Sequence, residues 1–226
     1  YHEWQTDALA AAASNNHQVE GDEVAFNAMV ATTRVGNRTQ ISRKAVIVSG
    51  TLEAVSKAGR NNEMAYQISK ASKELKRDME TTLLLNQAPV TGSDTAARKL
   101  AGIETWIEAN TNHASAGSPT PADPTGDGTD VRVVGTQRAF TEAQLKDVVK
   151  KCWDSGGDPS MIMLGSFNKQ KLSGFTGGST KMSQATDKTL VAAIDIYESD
   201  FGSMTVVPNR FSRNRDCFVI QPDMWA

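Results

Sequence analysis

The sequence is short of the residues that most enzyme and metal chemistry uses. It holds three histidines, His2, His17 and His113, and two cysteines, Cys152 and Cys217. No C-x-x-C pair and no H-E-x-x-H occurs, so the common zinc spacings are absent. Two distant cysteines make no disulfide framework and read as reduced thiols of a cytosolic kind. No apolar run approaches the ~20 residues needed to span a bilayer, so no membrane partner is expected. No secretory signal is visible. A basic excess is missing too: Lys and Arg number 24 against 26 Asp and Glu, a net charge of -2. That balance excludes a protein whose main work is coating DNA.

Three short motifs come close to chemistry and fall short. Gly165-Ser166-Phe167 follows an apolar run and precedes a helical pattern, but lacks the second glycine of G-x-S-x-G, and every histidine lies far upstream. Ser166 therefore reads as a helix cap. Phe175-Thr176-Gly177-Gly178-Ser179 is glycine-rich without the G-K-[ST] of a phosphate cradle. Asp123, Asp127 and Asp130 do not keep calcium-loop spacing. No catalytic residue, no metal ligand and no cofactor is assigned.

What is present is one long charged helix and a polar ribbon. RNNEMAYQISKASKELKRDMETTLLLNQ, Arg60 to Gln87, contains neither Gly nor Pro. A helix is predicted over Asn61–Asn86, capped by Asn61 or Asn62, with Pro89 beyond its end. Met64, Ile68, Ala71, Leu75 and Met79 form a narrow apolar stripe expected to pack on a sheet. At 1.5 Å per residue the rod would be roughly 39 Å long.

Before it, Tyr1–Thr6 and Thr39–Ser49 read as two extended arms of a hairpin. Between them the alanines at 10–13 could make one helical turn, ended by Ser14-Asn15-Asn16. Arg34, Arg38, Arg43 and Lys44 put positive charge on this hairpin. Glu20, Asp22 and Glu23 put negative charge on the same excursion. A polar hairpin this long cannot bury itself and needs a neighbour.

After the helix, Leu100–Asn110 is apolar and partly helical, and Thr111–Gly135 is a long loop. From Arg138 the pattern turns α/β. Thr141 and Gln144 have capping-box spacing. The helix behind them should bury Leu145, Val148, Val149 and Cys152 or Trp153. Met161–Leu164 reads as a buried strand, and Thr189–Ser199, Met204–Pro208 and Asp216–Gln221 as further strands. Both ends look cut, as if the chain were the middle of a longer polypeptide.

YHEWQTDALAAAA, TTRVGNRTQISRKAVIVSGTLEAVSKAGR and AYQISKASKELKRDMETTLLLNQA closely resemble the SU10-type major capsid proteins of tailed bacteriophages. So do AARKLAGIETWI, GTQRAFTEAQLKDVVKKCW, GSFNKQKLSGFTG, KTLVAAIDIYESDFGSMTVVPNR and QPDMWA. The resemblance runs nearly end to end and is weakest over Asn112–Gly135. It implies an α+β, HK97-like capsid fold: an extended hairpin (E-loop) over 1–50, the spine helix of a peripheral domain over 51–99, and an α/β axial domain over 100–226. It implies a structural shell subunit, not an enzyme. Its partners would be copies of itself in hexamers and pentamers, packaged double-stranded DNA held without sequence preference, and portal, scaffold or decoration proteins. The protein would assemble in the host cytoplasm and reside in the virion. The candidates for subunit contact are then Trp4, Arg34, Arg38, Arg43 and Lys44, the acids Glu20, Asp22 and Glu23, and the helix cations Lys70, Lys73, Lys76 and Arg77. Two other readings stand beside this one: an encapsulin-like compartment shell, and an α/β hydrolase-type enzyme using Ser166 or Cys152.

Overall fold

A computed structural model describes residues 1–226 apart from 25, 57, 115, 118, 176–193 and 226. Strands β1 (His2–Thr6) and β2 (Thr33–Asn37) pair antiparallel, with Trp4 opposite Val35. Two helices follow, α1 (Gly50–Ala54) and α2 (Glu63–Leu83). After a 3-10 turn at Ile103–Trp106 come α3 (Glu142–Asp154), β3 (Met161–Leu164), α4 (Ser166–Leu172), β4 (Ile196–Ser199), β5 (Gly202–Pro208) and β6 (Cys217–Ile220). The four later strands form one sheet in the order β4-β5-β3-β6, with β3 parallel to β5 and antiparallel to β6.

Strand β3 is covered on both faces, which is why it reads as an unbroken apolar run. Successive side chains point to opposite faces. Ile162 and Leu164 therefore join Leu145, Val149, Leu172, Met204 and Val206 under α3 and α4. Met161 and Met163 face the other way, onto Phe218, Ile220, Leu84 and the half-buried Ile103 and Ile107. The capping box that starts α3 forms, with Gln144 Oε1 accepting from the Thr141 amide at 3.4 Å. Leu145 and Val149 are buried as expected, while Trp153 is half exposed and stacks on Phe201 at 5.6 Å.

Helix α2 is shorter than its pattern at both ends. Asn62 is the cap, its side chain accepting from the Ala65 amide at 2.7 Å. Glu53 of α1 accepts from the Glu63 and Met64 amides at 3.1 and 3.3 Å, so most of the orphan donors of the first turn are met. At the other end Asn86 is drawn out of the helix. Its side-chain Nδ2 donates to the Arg132 carbonyl at 2.7 Å, and its Oδ1 accepts from the Arg132 amide at 2.9 Å. The rod spans 21 residues, about 32 Å.

Several expectations need correction. The partner of β1 is Thr33–Asn37, not Thr39–Ser49. Among the described residues the later segment has no ladder partner; Lys44 instead pairs with Asp78 of α2 at 2.6 Å. Residues 10–13 are not helical: alanines lack the length of helix needed to offset nucleation, and the segment is exposed throughout. Gly165, not Ser166, stands at the cap position of α4, and Ser166 is its first residue. Of the strand expected at Thr189–Ser199, Ile196–Ser199 forms and 189–193 lies outside the described residues, as does most of the glycine-rich run after Phe175. The apolar stripe of α2 does not pack on the sheet. Met64, Ile68 and Met79 are exposed and Ala71 and Leu75 half-buried, because α2 meets the sheet through its polar residues Lys76, Arg77 and Glu80 at the end of β5 and through Leu84 just past its last turn.

The Thr111–Gly135 loop, expected to lack structure, is tied down by a charge cluster. Arg132 donates to Asp123 and, at 2.7 Å, to the Ile107 carbonyl. Ala122 and Val133 pair as a bridge. Asp123 lies 3.5 Å from His113 Nε2. Glu104, 3% exposed, accepts from Arg213 and lies 4.0 Å from Arg132 Nε. Arg213 Nε also donates to Asp216 at 2.6 Å. A buried carboxylate between two arginines joins the 3-10 turn, the loop and the β5–β6 connection in one network. Burial, and then the neighbouring Asp216, push the Glu104 carboxyl up to about 7, against the pull of Arg213.

Two outcomes are expected. Leu164→Ala, which empties a fully buried site, should destabilise the chain by roughly 2–5 kcal/mol, read by urea denaturation. Glu104 binds its proton more tightly folded than unfolded, so its contribution to stability is present at low pH and is lost as pH rises from 4.5 through about 7. Urea midpoints across that window should fall for the wild type relative to Glu104→Gln, which has no proton to lose. Parallel curves would refute this assignment.

Candidate assembly surfaces

The hairpin divides into an anchored root and a free excursion. At the root, the Asn37 side chain accepts from the Ala101 amide at 2.9 Å and donates to its carbonyl at 3.2 Å. Trp4 stacks against Trp106 with ring centroids 5.1 Å apart, and His2 lies 5.7 Å from Trp4. Tyr1 Oη donates to the Gly36 carbonyl at 3.0 Å. Gly36 is required there, since a Cβ would lie 2.7 Å from the His2 carbonyl and 2.8 Å from the Tyr1 ring.

Beyond the root, residues 7–32 are exposed wherever they are described, and Leu9, Phe26 and Met29 are each more than 90% exposed. At the far end Val19–Asp22 forms a turn, closed by the Asp22 amide donating to the Val19 carbonyl at 3.2 Å. Gly21 takes the φ of +83° that this turn needs. The chain as a whole exposes 16672 Å². A compact monomer of 24.3 kDa would expose about 10,000 Å².

The twelve candidate contact residues do not share one place. Trp4 is half-buried and already stacked within the chain. Arg34 pairs with Glu3 across the hairpin, which raises its already high pKa further. Arg38 lies over the Tyr1 ring at 5.3 Å. Lys44 is held by Asp78, and Lys70 lies 3.9 Å from Glu74. Arg43, Lys73 and Lys76 are exposed. Arg77 is exposed and lies over Phe211 at 5.9 Å. Glu20, Asp22 and Glu23 sit together at the tip turn.

Lys76 and Arg77 share a hollow of about 360 Å³ with Pro208, Asn209, Arg210 and Phe211, and Glu80 lies on its wall. Sequence reading missed Arg210 and Phe211, because only the fold brings the end of β5 against α2. It also missed Glu104, although a lone carboxylate inside LAGIETWI is a readable signal of a buried ion pair.

The residues offered as nucleophiles are poorly placed for it. Burial pushes the Cys152 thiol up. A reactive cysteine needs the opposite shift. Ser166 is exposed on the first turn of α4, and the described histidines nearest in sequence belong to the root, the excursion and the Asp123 cluster. Among the described residues no group of three His, Cys, Asp or Glu side chains is arranged to hold a metal ion. No helix among them is long and apolar enough to cross a membrane.

A family model described as the SU10 major capsid protein matches residues 1–226. The major capsid protein of Escherichia phage Phieco32 is 30% identical over 255 aligned residues, which take in 99% of this chain and 72% of the relative. With an anchored core, an exposed hairpin and a rod whose apolar stripe is only partly covered among the described residues, the chain is a structural shell subunit and belongs to the SU10 major capsid protein family.

Proposed function

We propose that copies of this chain close into the icosahedral head that encloses phage double-stranded DNA, using an HK97-like arrangement. Residues 1–50 are the E-loop, 51–99 the spine of the peripheral domain, and 100–226 the axial domain. The axial domain gathers hexamers and pentamers, and the hairpin and spine clamp neighbouring subunits. Assembly takes place in the host cytoplasm, with portal, scaffold or decoration proteins as further partners. The chain performs no catalysis in this role.

The observation that carries the reading is area. The exposed surface exceeds that of a compact monomer by more than 6,000 Å², against the 2,000–5,000 Å² or more of obligate interfaces. Leu9, Phe26, Met29, Ile47 and the stripe of α2 belong to it. Large apolar side chains left exposed along one excursion and one helix face mark interaction surface. The near-neutral charge suits a container that must hold packed phosphate without binding it to the wall.

Electron microscopy of the full-length protein expressed alone should show regular closed particles. A stable monomer with hydrolytic activity would overturn the reading. Replacing residues 7–32 by an Asn-Gly turn keeps the Thr6–Thr33 register. That variant should keep its thermal midpoint and form no closed shells; closed shells of normal yield would remove the hairpin from the mechanism.

A further inference from the structure

We propose that the hollow between α2 and the end of β5 is the seat of the acidic hairpin tip, Glu20 to Glu23, of a second copy of the chain. The inference rests on the shell reading above and names the contact that the hairpin makes.

The hollow carries three cations, Lys76, Arg77 and Arg210. All three are exposed, and the ion pairs of the described residues leave each without a carboxylate within 4.0 Å. Its one acid, Glu80, is engaged: Oε1 accepts from Asn209 Nδ2 at 2.7 Å. Asn209 is itself fixed, with its amide donating to the Leu164 carbonyl at 2.9 Å and its Oδ1 accepting from the Phe211 amide at 2.8 Å. The rim is therefore built on the central strand. Phe211 and Pro208 give the hollow an apolar part, and Arg77 lies over the Phe211 ring at 5.9 Å.

The tip matches it in sign, shape and mixture. Three acids fall within four residues, on a turn whose backbone is closed by its own hydrogen bond. Val19 and Val24 flank them and are each 76% exposed. The tip's side chains are exposed, and among the described residues Asp22 Oδ1 accepts only from the neighbouring Glu23 amide, at 2.9 Å. A preformed turn loses little conformational freedom on docking. Opposite charges set register and exclude wrong partners, and valines against Phe211 and Pro208 add apolar burial.

Duplex DNA is the other polyanion to consider. A phosphate backbone has no apolar flank to set against Phe211 and Pro208. The hollow is turn-sized at about 360 Å³, whereas phosphate tracking uses an extended basic stripe.

The test uses charge reversal on the full chain. One variant carries Glu20→Lys, Asp22→Lys and Glu23→Lys; a second carries Lys76→Glu, Arg77→Glu and Arg210→Glu; a third carries all six. Each single-sided reversal should lower the yield of sedimenting shells roughly tenfold or more with an unchanged thermal midpoint, and the six-fold variant should recover most of it. Asp22→Cys with Arg210→Cys should give inter-chain disulfide dimers on non-reducing gels, and neither cysteine alone should. That cross-link reads the contact even if no closed shell forms, so failure of the shell reading and failure of this seat are told apart. The proposal is overturned if the six-fold variant assembles no better than the worse of its parents, if the hollow reversal leaves shell yield unchanged, or if the cysteine pair gives no dimer. A hollow reversal that abolishes retention of duplex DNA while shells form normally would assign the hollow to DNA and equally overturn it.

Discussion

The constraint on which this structure turns is unmet burial. Folding a chain of this size offsets its conformational entropy chiefly by removing apolar surface from water. Here that happens around one four-stranded sheet, with α3 and α4 on one face and Leu84, Ile103 and Ile107 on the other. The hairpin excursion and the apolar stripe of α2 lie outside this core. Their ordering has no sufficient source within a single molecule. In the proposed shell the source is the neighbouring copy, and the same deficit recurs at every symmetry-related position.

The two regions are joined by few but specific contacts. Asn37 serves both the amide and the carbonyl of Ala101, so the root of the hairpin has a fixed register against the chain that follows α2. Trp4 on Trp106 fixes its tilt. Trp106 in turn belongs to the 3-10 turn that carries Glu104, and Glu104 reaches Arg213 at the far edge of the sheet domain. A continuous path of packed rings and ion pairs thus runs from hairpin root to sheet. The excursion is exposed while its origin is held, which suits an arm that must meet a partner at a set angle.

Much of this was readable in the residues. The 3.6-residue stripe and the absence of Gly and Pro marked α2, and Asn62 capped it. The run MIML marked a strand covered on both faces, and Thr141 with Gln144 marked the start of α3. The errors share a cause. Thr39–Ser49 has high β-propensity, yet propensity measures fit to a pleated surface, and in this chain β1 pairs with the residues just before it. The stripe of α2 marked the helix correctly, but the cover expected on that face is not supplied by the sheet, and a pattern does not say where cover comes from. The site was legible only in part. Lys76, Arg77 and the acids of the tip could be named from charge, whereas Arg210 and Phe211 are more than a hundred positions from α2 in sequence and meet it only through the sheet.

The chemistry of the exposed surface also bears on how a shell can be built without error. Interfaces made wholly of apolar area would hold any roughly matching neighbour, and misplaced subunits would be trapped. Exposed ion pairs contribute little each, about 0–1 kcal/mol, and salt screens them. A contact of charged tip and cationic hollow with a small apolar component is therefore weak alone and selective in register. Closure then joins many such contacts, so that each subunit is held by several neighbours at once and the effective concentration of every further contact is high. Weak single contacts let wrong pairings dissociate during growth, and multiplicity holds the finished shell. The near balance of 24 cationic and 26 acidic residues is what such a scheme requires, because a strong excess of either sign would make identical subunits repel wherever they meet.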